Sequence, residues 1–119
     1  MSNGHAARFE DLNGLLAERV PELREGIDAE YRSWEGEAPG QHVIYGDYLA
    51  QYLLKLLATG ADDQRLQEIF AFLEELATNP DDHVQEVVAV TVLEDLAEDK
   101  ATLARARQFM GPATLALLA

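Results

Sequence analysis

The sequence predicts an all-α fold of about six or seven helices in a single domain spanning 1–119, and three observations carry that expectation. Apolar residues recur at intervals of three and four through most of the chain, the spacing that puts them on one helix face. Helix breakers sit beside helix starters at Pro21, Gly60, Asn79-Pro80 and Gly111-Pro112. There is also an internal echo: Leu54-Lys55-Leu56-Leu57-Ala58, Leu73-Glu74-Glu75-Leu76-Ala77 and Leu93-Glu94-Asp95-Leu96-Ala97, whose first leucines stand 19 and 20 residues apart. That interval fits one helix and one short loop.

In chain order, Phe9, Leu12 and Leu16 form the first stripe, which should end near Val20 because Pro21 cannot continue it. Pro21 suits the first position of a second helix with the stripe Leu23, Ile27, Tyr31 and Trp34; Gly26 is a weak point within it. This helix pair occupies 1–34. Residues 35–46 read as a loop, since Gly36, Pro39 and Gly40 break any period, and 47–119 form a repeat-like helical core.

A third helix should begin near Asp47, whose carboxylate can accept from free first-turn amides, and run to Thr59 before Gly60. Its apolar band includes Tyr48, Leu49, Tyr52, Leu53, Leu56 and Leu57, broad enough for more than one neighbour. The fourth covers 62–78 and buries Leu66, Ile69, Phe70, Leu73 and Ala77. In the fifth, Val88, Val90 and Val92 alternate as a strand would. An acidic start at Asp81-Asp82 and the helix-forming 93–98 nevertheless predict a helix. A sixth spans 101–110 and is closed by Gly111; Pro112 opens a seventh through Leu118.

Charge sets the functional expectation. The net charge is −13, and 62–99 holds twelve acids against Arg65 alone. Such a field repels nucleic acid and anionic membranes and attracts cationic proteins. Cysteine is absent, which excludes disulfide and thiolate chemistry and fits a cytoplasmic protein. Residues 1–9 contain no long apolar core, so no signal peptide is expected, and the apolar run 87–90 is too short for a membrane span.

No catalytic motif emerges, no cofactor is implied, and no enzyme activity is expected. His83 and Glu86 stand three apart, as in some helical metal sites, but further inward carboxylates are missing and the other histidines are His5 and His42. Glu74 and Glu94 hold equivalent repeat positions and could face each other as an acid–base pair, although a solvated face is the simpler reading. Ser2 and Ser33 lack the context of a nucleophile. A basic protein partner is therefore expected to meet Glu74, Glu75, Asp81, Asp82, Glu86, Glu94, Asp95, Glu98 and Asp99, with Trp34, Tyr45 and Tyr48 as apolar anchors. The competing expectations are a peptide-binding adaptor with an apolar groove near Tyr48, Tyr52 and Phe72, and a metal or small-molecule protein using His83, Glu86 and His42.

Two resemblances add to this. A pair of echo units would span about 39 residues, near the roughly 40 of HEAT-type repeats. Within 79–99, Asp-Asp-His-Val-Gln-Glu-Val-Val followed by Leu-Glu-Asp-Leu resembles the second helix of such a repeat. An open HEAT-like array and a closed bundle both fit. Across roughly 34–118, Gly46-Asp47-Tyr48-Leu49, Ile69-Phe70-Ala71-Phe72-Leu73-Glu74 and Met110-Gly111-Pro112-Ala113-Thr114 resemble small helical bacterial proteins of uncharacterised families. Some relatives of that kind are regarded as immunity proteins of polymorphic toxin systems. That resemblance implies a cognate toxin, neutralised by occlusion of a basic cleft.

Overall fold

After the first helix, each begins where the sequence supplies a cap or a proline, with one exception. The computed structural model describes residues 7–60 and 62–118, and in these the chain forms seven helices and no strand. Helix α1 covers 9–19 and opens with a 3-10 turn. Val20 interrupts it, and Pro21 starts α2, which runs over 21–33. The connection that follows turns through left-handed backbone at Glu35 (φ 49°) and Gly36 (φ 97°). It is tied down at its far end: Asn13 Nδ2 donates to the Pro39 carbonyl at 3.0 Å, and Gln41 Nε2 donates to the Phe9 carbonyl at 3.0 Å.

The exception is α3, which covers 41–59 and so starts six residues before the expected Asp47. Asp47 is no cap; it lies exposed inside a π-helical stretch, Tyr45–Ala50. The loop therefore ends at Gly40 instead of residue 46. Gly60 closes α3 at φ 64°, a left-handed conformation that costs glycine nothing. Helix α4, Asp63–Ala77, is capped by the Asp62 carboxylate, which accepts from the Arg65 amide.

Helix α5 covers 82–96 and settles the ambiguity of the valine run. It is helical, and its centre, Val87–Leu93, is a second π segment. A π turn holds an extra residue, so one side chain is displaced from the inward stripe. Val84, Val87, Val88, Val92 and Leu93 are buried, while Val90 is 51% exposed. The alternation that imitates a strand is helical spacing: Val88 and Val92, four apart, share the inner face and Val90 lies opposite them.

The two π segments pack on each other. Gly46 makes room, because a Cβ there would lie 3.1 Å from the Thr91 methyl, and His42 Nδ1 meets Thr91 Oγ1 at 2.5 Å. Helix α6, Lys100–Arg107, is capped by Asp99, and α7, Pro112–Leu117, starts on its proline. The core is one cluster joining Leu12 and Leu16 of α1, Ile27 of α2, Leu49 and Leu53 of α3, Phe70 and Leu73 of α4, and Val88 and Leu96 of α5. No helix among the described residues is long and apolar enough to cross a membrane.

Candidate functional site

The nine acids that the sequence offers to a partner divide into those the chain itself uses and those it leaves free. Glu74, on α4, is half-buried beneath the start of α7. Its carboxylate accepts from the Ala113 and Thr114 amides, both at 2.9 Å, and from the Thr114 hydroxyl at 2.8 Å. Burial raises its pKa, but these three donors outweigh that and hold it below the ordinary carboxylate value. Gly111 permits the approach, since a Cβ there would lie 2.5 Å from Glu74 Cδ. Glu94 flanks the far end of α7, beside Leu117 and Leu118, so the two glutamates do not form an acid–base pair.

Glu75 is held by both terminal nitrogens of Arg19, at 2.9 and 2.5 Å, a pairing that lowers its pKa. Asp81 accepts from the His83 amide at the start of α5. Asp99 accepts from the Thr102 hydroxyl and amide, which lower its pKa in that order. Among the described residues, Glu86 reaches only His83, at 3.3 Å. Asp82, Glu94, Asp95 and Glu98 make no ion pair among the described residues.

The anchors divide similarly. Tyr45 is fully buried and its hydroxyl donates to the Leu12 carbonyl at 2.7 Å, so it belongs to the core and presents no surface to a partner. Burial pushes its phenol pKa well above the ordinary range. Trp34 is 38% exposed and donates Nε1–H to Glu30, and Tyr48 donates to the other oxygen of the same carboxylate. Phe72, expected in an apolar groove with Tyr48 and Tyr52, is instead buried beneath the Arg19 guanidinium, 4.8 Å from the ring centre. Tyr52 donates to Glu22.

Other candidates for chemistry are isolated. His83 and Glu86 are both exposed, and His42 is engaged with Thr91. No three metal-ligating side chains come together among the described residues. Ser33 donates its hydroxyl to the Glu30 carbonyl. Ser2 and His5 lie outside the described residues.

Two features could not be read from local sequence. Arg65 is not free within the acidic stretch: Nε and one terminal nitrogen grip Glu22 at 2.7 and 2.6 Å, and the other reaches Glu68 at 2.7 Å. This pairing pulls the Glu22 pKa down to about 2, with burial opposing and the Tyr52 hydroxyl assisting. The second is a shallow groove of about 300 Å³ between α5 and α7, lined by Ala89, Val90, Leu93, Ala97, Leu117 and Leu118, with Glu94 in its wall.

Residues 13–119 match the family model described as a domain of unknown function, DUF7674. The chain belongs to this family. No curated protein and no solved structure matches it significantly. The DUF7674 match takes in every helix described above, apart from the first few residues of α1.

Proposed function

We propose that this chain is an acidic protein-binding module that acts in the bacterial cytoplasm as an immunity protein, covering the basic cleft of a cognate toxin without performing chemistry. The observation that carries this reading is which carboxylates the paired arginines take. Arg8, Arg19, Arg65 and Arg105 are bonded to Glu10, Glu75, Glu22 with Glu68, and Asp63, in that order. None of these arginines reaches the carboxylates of α5. Like charges repel along Glu94, Asp95 and Glu98, and a cationic partner would relieve that cost on association. The echo supports a HEAT-like relation among α3, α4 and α5, since Leu73 and Leu93 are buried and Leu54 is half-buried.

Coexpression tests the proposal. A basic toxin encoded beside this chain should lose its lethality when the chain is present. Asp82→Asn, Glu94→Gln, Asp95→Asn and Glu98→Gln together should weaken protection. A control with Glu25, Asp28, Glu35 and Glu37 amidated, which carries the same net charge, should retain it. Unchanged lethality with the wild-type chain defeats the immunity reading.

A further inference from the structure

The groove between α5 and α7 has Glu94, one of the carboxylates without an ion pair among the described residues, in its wall, and the rest of its lining is apolar. Val90 is the most exposed large apolar side chain among those described, at 51%, since it stands two residues from the buried Val88 and Val92 and so on the opposite side of the helix. Ala89 and Ala97 are small enough for another backbone to come close, Leu93 forms the floor, and Leu117 and Leu118 form the opposite wall. From Ala89 to Ala97 the groove runs roughly 12 Å along α5, about two helical turns.

We propose that this groove seats an amphipathic helix of a cationic partner, with an apolar pair three or four residues apart against Val90, Leu93 and Ala97. This deepens the binding reading above and rests on it. A groove about two turns long, with apolar residues spaced along one helix, suits a helical occupant, which meets such a surface through residues at that spacing. Charge complementarity decides the rest of its chemistry. Glu94 stands in the wall, with Glu98 exposed one turn further along and Glu86 one turn before Val90. A lysine or arginine one turn from the apolar pair would meet a carboxylate. A second copy of the chain is a poor occupant, because each carries a net charge of −13.

The test uses three synthetic peptides and fluorescence anisotropy. One is an amphipathic Leu/Lys/Ala helix, the second is its scrambled isomer, and the third is oligolysine of equal charge. The wild-type chain should bind the amphipathic helix about tenfold tighter than the isomer, the margin expected when one or two apolar anchors are seated. The double variant Val90→Ser/Ala97→Gln, at two exposed positions, should reduce that preference to about threefold or less and leave oligolysine binding unchanged. Equal binding of helix and isomer, or a preference that survives the double variant, overturns the groove assignment. In either case the carboxylate reading stands if the fourfold amide variant weakens oligolysine binding. Failure of every peptide to bind rejects both.

Discussion

Removing the Glu74 carboxylate should loosen α7 from the rest of the molecule. In Glu74→Ala, the Ala113 and Thr114 amides lose the acceptor that caps their helix, and the Thr114 hydroxyl loses its partner inside a fully buried side chain. Loss of a helix cap costs about 1 kcal/mol, and leaving a buried hydroxyl unpaired costs about 1–3 kcal/mol. Water can replace part of the amide bonding because Glu74 is only half-buried, so a total of about 2–3 kcal/mol is expected. For a domain of this size that corresponds to a fall in Tm of roughly 10 °C. Gly111→Ala should cause a similar loss, because its methyl would occupy the space of Glu74 Cδ. In the Glu74→Ala background that space is vacant, so the second substitution should cost little more. Thermal unfolding of the two single variants and the double variant reads this directly. A Glu74→Ala protein that melts within about 2 °C of wild type, or strictly additive losses, would refute the capping role.

Further outcomes follow from other contacts. Glu22 has a folded-state pKa of about 2, below its ordinary value of 4.5, so its pairing with Arg65 stabilises the fold above about pH 4.5 and is lost as pH falls toward 2. Discounted for exposure, Arg65→Met should cost about 1–2 kcal/mol at neutral pH and much less near pH 2, and Glu22 should titrate near its ordinary value by NMR. Gly26→Ala should lower stability by about 1 kcal/mol despite alanine's better helix propensity, because the new Cβ would lie 2.8 Å from the Tyr48 ring. Tyr45→Phe should cost about 1 kcal/mol in urea unfolding, the loss of one buried hydrogen bond to the Leu12 carbonyl.

Helix boundaries marked by prolines and capping acids were legible in the sequence. Pro21, Asp62, Gly60 and Pro112 act locally, each through its own φ angle or side-chain oxygen, and each marks the boundary it predicts. The start of α3 was not legible. Gly40 begins it with no side-chain cap, while Asp47 imitates one from inside the π segment. Both π segments escape a reading based on 3.6 residues per turn, and they support each other across α3 and α5 instead of arising from local preference.

The acidic character of 62–99 was equally plain, but its division was not. Whether a carboxylate is free depends on which distant group meets it. Glu74 meets a backbone nearly 40 residues away, and Glu75 meets an arginine 56 residues away. On α5, Asp82, Glu94 and Asp95 meet no cation among the described residues, and the packing of α7 creates an apolar groove beside Glu94.

The most direct test is the association rate of the chain with the proposed basic partner, measured by stopped flow across ionic strength. At low salt, amidation of Asp82, Glu94, Asp95 and Glu98 should slow association about tenfold or more and flatten the salt dependence. Equal amidation of Glu25, Asp28, Glu35 and Glu37 should change the rate about threefold at most. If the two variants associate at the same rate, the bulk charge of the chain, and not the face of α5, guides the encounter.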